Sequence, residues 1–203
     1  MNWIRSIYDW VLKWADRPSG SRVLFIIAFA EASFFPIPPD VLLIPLALGM
    51  RKKAFKMAAI CSVGSILGAF LGDSLGYFVW WTEGAFTPFA QFFFQNVPGF
   101  SVEGFYRLKE LYETWNFWVI FTAGFTPIPF KLFTISAGAF HIQFPLFILA
   151  SVISRSARFF LVAALIWKFG EPIRHFIDRY FNVLAIIFTI LLVGGVWLIK
   201  YFI

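Results

Sequence analysis

Apolar runs that are too short to cross a bilayer, separated by prolines, are the first feature of this chain. Residues 23–35 are apolar apart from Glu31 and one serine, and a second apolar run follows at 41–48. As a helix the first run rises about 20 Å, whereas a hydrocarbon core is roughly 30 Å thick. The intervening prolines, Pro36 and Pro38 among them, remove backbone donors and end a helix. Two layouts fit this pattern: one broken spanning helix, or a re-entrant hairpin that enters the membrane and returns.

Basic residues on both sides of this segment favour the hairpin. Arg17 and Arg22 precede it, and a basic run beginning at Arg51 follows it. Cytoplasmic loops of membrane proteins retain Lys and Arg, so both flanks are expected on the cytoplasmic side. We therefore expect a re-entrant hairpin over about 21–50.

A loose copy of the proline break occurs later in the chain. Pro36-Ile37-Pro38 matches Pro127-Ile128-Pro129 at one constant offset, and the same offset sets Asp40 opposite Lys131. A second re-entrant hairpin is therefore expected over about 116–142, entering from the opposite face. Transporters built as inverted repeats place their site at the bilayer midplane. The acid and the base at these matching positions are accordingly predicted to form the working site.

Each predicted hairpin is followed by a longer apolar stretch. The first, at 54–81, carries glycines at every fourth position, a spacing that lets helices approach closely in lipid. The second lies at 144–168, and a last apolar run lies at 183–200. The predicted fold is an all-α polytopic membrane protein, an inverted repeat of two proline-broken re-entrant helical hairpins within one membrane domain over 21–200.

Two further segments have mixed polarity. Residues 1–20 alternate tryptophans with charges at helical spacing, which predicts an amphipathic helix in the interface plane. It serves either as an anchor or as a regulatory, partner-binding helix. Residues 82–115 are aromatic and mixed, and are predicted to form an amphipathic segment on the non-cytoplasmic surface or a lid over the site.

Composition supports the membrane interpretation. The chain is 60% hydrophobic and only 14% charged, with nine Trp and 29 Phe. Soluble domains are about 45–50% apolar and about 25% charged. The net charge of +6 is attributed to membrane orientation, and no nucleic-acid partner is expected.

Signatures of enzymes and cofactor sites do not occur in the sequence. There is no metalloprotease, nucleophile-elbow or phosphate-loop motif. Cys61 is the single cysteine and is expected to be a small packing residue. His141 and His175 are expected near the surface. No cofactor or metal is predicted.

Ionisable residues inside the apolar segments define the candidate site. Each costs about 2.5–3.5 kcal/mol at a helix centre in a bilayer, so they should face one another or a wet cavity. Three acids and three bases sum to zero charge: Glu31, Asp40, Asp73, Lys131, Arg155 and Arg158.

Two interpretations of these residues remain open. In one, buried ion pairs lock the two halves together. In the other, Lys131, Arg155 and Arg158 hold a phosphate while Glu31, Asp40 and Asp73 take up protons. Asp40 and Thr134 are alternatively helix caps.

Four motifs in order resemble the DedA family (VTT-domain membrane proteins), in its YqaA-like branch: Glu31-x4-Pro36-x-Pro38-x-Asp40, Gly72-Asp73-x2-Gly76-Tyr77, Phe125-Thr-Pro-Ile-Pro-Phe-Lys131 and Ser154-Arg155-x2-Arg158-Phe159. The resemblance covers about residues 20–200. It implies paired re-entrant loops, transport of anionic lipids and, for some members, return of undecaprenyl phosphate across the membrane with dependence on the proton motive force. Many members carry an additional Arg before the second-loop proline, where this chain has Thr126.

By the same resemblance, Glu31 and Asp40 are the acidic pair linked to protons, Lys131 is a basic position of the second loop, and Arg155 and Arg158 are the basic pair of the following helix. The expected function is a flippase for an anionic lipid, most simply polyprenyl phosphate, in a bacterial inner membrane with the N-terminus cytoplasmic. Protons or Na⁺ would be the coupling ion, and a homo-oligomer is allowed. The alternatives are a structural or assembly factor without transport and a lipid-phosphate enzyme.

Overall fold

The computed structural model describes residues 19–35, 37–96, 101–126, 129–170 and 172. The predicted interfacial helix (residues 1–18) and the predicted final span over 183–200 lie outside the described residues. So do His175, Pro36 and Pro127; these two prolines, with Pro38 and Pro129, are the predicted tips of the re-entrant hairpins.

The described part is almost entirely helical. In chain order it contains α1 (Gly20–Ser33), α2 (Asp40–Gly49), a 3-10 turn (Arg51–Lys53), α3 (Ala54–Trp80), β1 (Trp81–Thr82), β2 (Ala85–Phe86), α4 (Pro88–Asn96), α5 (Val102–Phe125), α6 (Phe130–Ala139) and α7 (Phe144–Phe169). The all-α class is thereby confirmed.

Both predicted proline breaks are present. The backbone N–H groups of Phe34 and Phe35 both donate to the carbonyl of Ala30, which ends α1. Pro39 then precedes the first turn of α2, and Pro129 precedes the first turn of α6. Proline suits these places because a helix start needs no backbone donor there.

The first three helices run forward, back and forward. Gly64 of α3 faces Phe25 and Ala28 of α1, and Gly68 faces Phe29 one turn further on. Because both sequences advance together, α1 and α3 are parallel. The intervening α2 therefore carries the chain back to the level at which α1 began.

The later helices run in the opposite order. Gly124 of α5 faces Ser154 of α7, and the carbonyl of Thr126 meets Arg158 one turn further on, so α5 and α7 are parallel. Helix α7 is antiparallel to α3, since Phe144 packs on Phe70 whereas Trp167, at the other end, packs on Phe55. The second group of three helices is thus reversed relative to the first.

The predicted glycine face of α3 is confirmed. Gly64, Gly68, Gly72 and Gly76 are all buried. The first two face α1, and Gly72 and Gly76 face Thr134 and Ile135 of α6 or their neighbours. The glycine face therefore lets α1 and α6 approach α3 until their backbones are in contact with it. Cys61 is also buried, as predicted for a packing residue.

The predicted boundary between a surface segment and the second hairpin, near residue 115, falls inside a helix. Helix α5 is continuous from Val102 to Phe125. No proline or glycine interrupts residues 105–123, and Lys109 and Glu113 form an i,i+4 ion pair across the polar part. One helix therefore includes both the polar surface stretch and the apolar arm that leads to the break.

A two-strand hairpin follows α3, which the sequence pattern did not predict. Trp81 pairs with Phe86, and Thr82 with Ala85. Glu83 and Gly84 have φ values of 51° and 80°, as the mirror-image turns that match the twist of paired strands require.

The outside of the helical part is strongly apolar. Arg51–Trp80 and Phe144–Phe169 are the stretches of the described part that are long and apolar enough to cross a membrane. On α3 the small residues face inward while large ones are exposed, for example Phe70 and Phe78 at 52% and 71%. On α7, Leu149 and Leu161 are likewise about half exposed.

Candidate functional site

A buried ion pair connects α1 to α7. A terminal guanidinium nitrogen of Arg155 on α7, Nη2, donates to Oε2 of Glu31 near the end of α1 across 2.6 Å. The side chains are only 3% and 9% exposed. Two opposite charges at this separation offset one another, which is the condition for burying either of them.

Three more groups surround the guanidinium of Arg155. Its Nε donates to Oγ of Ser65 on α3 across 2.6 Å. The rings of Phe130 on α6 and Phe159 on α7 lie 4.9 and 4.7 Å from it, within the range of cation–π contact. Helices α1, α3, α6 and α7 thus all contribute to the position of this one cation.

A second ion pair joins the two proline breaks. Arg158, one turn after Arg155 on α7, donates from Nη2 to Oδ2 of Asp40 across 2.8 Å. Its Nη1 donates to the carbonyl of Thr126 and, across 3.4 Å, to that of Phe125. Arg158 therefore neutralises the first residue of α2 and also accommodates the last carbonyls of α5, where a cation is favoured.

The predicted opposition of Asp40 and Lys131 does not take the form of a contact. Asp40 pairs with Arg158. Lys131 is partly exposed in the first turn of α6, and forms none of the ion pairs found among the described residues. Matching positions in two sequence copies lie in equivalent places, and equivalent places need not be neighbours.

Asp73 lies apart from the two ion pairs. Its side chain is half-buried on α3 and takes part in no ion pair among the described residues. Gly138 of α6 faces the carbonyl of Asp73, so the close approach of α3 and α6 occurs here. Of the six predicted site residues, four are brought into two pairs, and Asp73 and Lys131 remain outside them.

The alternative of helix capping is wrong for both candidates. Asp40 is the first residue of α2 and makes no capping hydrogen bond. Thr134 lies inside α6, where its hydroxyl is placed to donate to the carbonyl of Ala32 across 2.8 Å and to that of Lys131. Thr134 thus joins the end of α1 to α6.

His141 lies at one end of the bundle, close to aromatic side chains. Its ring centroid is 4.9 Å from that of Trp81 and 5.0 Å from that of Tyr77. Partial burial, together with the nearby charge of Lys109, lowers the pKa of His141. The Nε1 of Trp81 donates to the carbonyl of Ala139 across 2.6 Å, which completes the end of α6.

Sequence reasoning missed the uncharged members of the site. Ser65, Phe130 and Phe159 contact Arg155 but carry no charge that marks them in an apolar segment. Ser65 follows Gly64 on the small-residue face of α3, and a hydroxyl on such a face was the one available signal.

The chemistry available at this site is charge exchange. Carboxylate and guanidinium groups form neutral pairs, and a phosphate can replace a carboxylate on a guanidinium because both offer the same oxygen geometry. Among the described residues no group of three or more His, Cys, Asp or Glu side chains is arranged to hold a metal ion.

Comparison with known proteins places the chain among its relatives. It is 34% identical over 178 residues to an uncharacterized protein of Haemophilus influenzae, covering 85% of this chain and 88% of that protein. It is 36% identical over 177 residues to the uncharacterized HI0703 homolog of Histophilus somni, with the same coverage. No protein-family model matches the chain, and no solved structure shows a significant match. The chain therefore belongs to the same family as these Haemophilus and Histophilus proteins.

Proposed function

We propose that the protein is a membrane transporter that moves an anionic lipid phosphate between leaflets, with polyprenyl phosphate as the substrate class. The observation that carries this proposal is the position of the two ion pairs. Glu31–Arg155 and Asp40–Arg158 each connect an early helix to α7 within otherwise apolar segments, and Asp40–Arg158 lies at the two proline breaks. Ionisable residues within apolar segments mark substrate and ion pathways more often than they stabilise a fold.

The apolar exterior supports a membrane location. Exposed patches of large apolar residues on soluble monomers rarely exceed a few hundred Å². Here the outward faces of α3 and α7 carry such residues along their length, including Val63, Leu67 and Ile153. A bilayer is the solvent that these faces fit.

The helix directions support an inverted repeat. Helices α1, α2 and α3 run forward, back and forward, and α5, α6 and α7 run in the reverse order. In a bilayer, α2 would return the chain to the face from which α1 entered, and α6 would do the same from the other face. Inverted repeats of this kind let one site open alternately to the two sides.

Proton coupling follows from competition for Arg155. While Glu31 is ionised, it occupies Nη2 of Arg155 and the site is neutral. A proton on Glu31 removes that negative charge, so the guanidinium becomes available to a phosphate. A phosphate monoester carries about −1.5 to −2 charges, and Lys131 is the second cation that we assign to it. Proton uptake thus accompanies lipid binding.

Reconstitution tests the proposal. Purified protein is placed in vesicles with fluorescently labelled polyprenyl phosphate, and movement between leaflets is followed with and without a pH gradient. We expect movement by the wild type that is faster with the gradient, and movement in Glu31→Gln that no longer responds to it. Glu113→Gln is the matched control, because Glu113 belongs to an exposed ion pair at the surface.

The other candidate functions give different outcomes. A structural or assembly factor would move no lipid, and a lipid-phosphate enzyme would release inorganic phosphate. An unchanged gradient response in Glu31→Gln would contradict the assigned coupling.

Cysteine labelling tests the first hairpin separately. Single cysteines at Arg22 and Lys52, in a Cys61→Ser background, should react with an impermeant reagent from the same side of the membrane. Reaction from opposite sides would show one broken spanning helix and would overturn the re-entrant arrangement.

A further inference from the structure

We propose that Ser65 is a positioning residue that keeps the Glu31–Arg155 pair exchangeable, and that it thereby decides which of the two ion pairs yields to the lipid phosphate. This inference rests on the proposed function, since it specifies how the same site admits its anion.

The two arginines differ in the partner of their Nε nitrogen. In Arg158, Nε lies 3.4 Å from Oδ1 and Nη2 lies 2.8 Å from Oδ2 of Asp40, so one carboxylate spans both nitrogens. In Arg155, Nη2 donates to Glu31, but Nε donates to Oγ of Ser65. Ser65 thus occupies Nε, the donor that a two-point pair of the kind formed by Arg158 and Asp40 would need.

The surrounding residues keep Arg155 bonded to Glu31 and to Ser65 at the same time. Arg155 is 2% exposed and Ser65 is 0% exposed. The rings of Phe130 and Phe159 lie against the guanidinium and limit its rotation. Since a serine hydroxyl does not titrate in the physiological range, its hydrogen bond persists whether Glu31 is charged or neutral.

The division has a consequence for binding. A carboxylate held at two points by an arginine gains both energy and geometric specificity over one held at a single point. Asp40 is therefore the more firmly held acid. Its partner Arg158 also bonds the carbonyls at the end of α5. Glu31 has one bond to Arg155 and is the acid that a phosphate displaces.

Removing the hydroxyl should consequently strengthen the Glu31–Arg155 pair. In Ser65→Ala, Nε of Arg155 is released and Glu31 can span both nitrogens, as Asp40 does on Arg158. We expect affinity for polyprenyl phosphate, measured by calorimetry in detergent, to fall by about tenfold or more, the change that one hydrogen bond to a charged group corresponds to. Ser65→Thr retains the hydroxyl and should bind as the wild type does.

A double variant separates positioning from simple damage. Ser65→Ala combined with Glu31→Gln lacks the competing charge, so its affinity should return to that of Glu31→Gln alone. Ser62→Ala is the matched control, because Ser62 is buried on the same helix and donates only to Ala58 of that helix. Thermal unfolding of each purified variant accompanies the binding measurement.

Two results would overturn the inference: wild-type affinity in Ser65→Ala, or a loss that Glu31→Gln fails to restore. If the wild type itself binds no polyprenyl phosphate, the proposed function fails. In that case the role of Ser65 is tested without lipid, by an experimental structure of Ser65→Ala. In this structure Glu31 should contact both Nε and Nη2 of Arg155. A single contact there would refute the role of Ser65.

Discussion

Arg155 donates to Glu31 across 2.6 Å although 124 residues separate them in the chain, and both side chains are nearly inaccessible. The contact joins the end of α1 to the middle of α7. It makes this contact between the two helices electrically neutral, and the carboxylate of Glu31 is a group that a proton can neutralise.

Breaking the pair should be far more damaging than removing a surface charge. Arg155→Ala leaves Glu31 buried without a partner, for which we expect a loss of about 3–5 kcal/mol in the free energy of unfolding. Lys109→Ala should change it by about 1 kcal/mol or less, because its partner Glu113 is exposed. Thermal unfolding in detergent measures both. A loss in Arg155→Ala no larger than in Lys109→Ala would contradict the burial of the pair.

The approach of α3 and α6 should depend on Gly138. A Cβ there would collide with the backbone of Asp73, whereas one at Gly49 meets nothing within 4 Å. Gly138→Ala should therefore destabilise the protein by about 1–3 kcal/mol. Gly49→Ala, the control at a helix position, should be neutral or stabilising by up to about 1 kcal/mol. Equal effects of the two substitutions on the unfolding temperature would refute this packing.

Lys131 should separate binding from folding. It is partly exposed and has no ion pair among the described residues, so Lys131→Ala should leave stability within about 0.5 kcal/mol of the wild type. As an assigned phosphate contact, it should nevertheless weaken polyprenyl phosphate binding and slow transport. Calorimetry and the vesicle assay test this pair of expectations. Unaltered binding would remove Lys131 from the site.

His141 should make the protein less stable in acid. Its pKa in the folded protein lies below the ordinary value of 6.5, so the unfolded chain takes up the proton first as the pH falls. The stabilising contribution is present above pH 6.5 and is lost as the pH falls through the folded pKa. Between about pH 7.5 and about pH 5, the unfolding temperature should fall further for the wild type than for His141→Gln. Identical slopes would show that His141 contributes nothing.

Local features of the fold could be predicted because their causes are local. Pro39 and Pro129 precede the first turns of α2 and α6, where proline is favoured by its own chemistry. The glycine spacing of α3 likewise defines a face without knowledge of its partner. Near Trp115 polarity changes but nothing breaks the helix, so a change of composition there does not mark the end of an element.

The partners within the site could not be predicted in this way. The sequence showed three acids and three bases, but which acid meets which base depends on how α7 passes between the two breaks. Matching the two copies suggested Asp40 with Lys131, whereas the tertiary arrangement gives Asp40 to Arg158. Ser65 and Phe130 had no charge to draw attention to them, and only packing identifies their contact with Arg155.

If the protein moves lipids because they carry a phosphate, it should distinguish a phosphorylated lipid from its neutral counterpart. Vesicles containing the wild-type protein are loaded with labelled polyprenyl phosphate or with the matching neutral polyprenol, and the rate of transfer between leaflets is measured for each. We predict accelerated transfer of the phosphate form over protein-free vesicles, with little acceleration of the neutral form. Equal rates for the phosphate form with and without protein would contradict the proposed function.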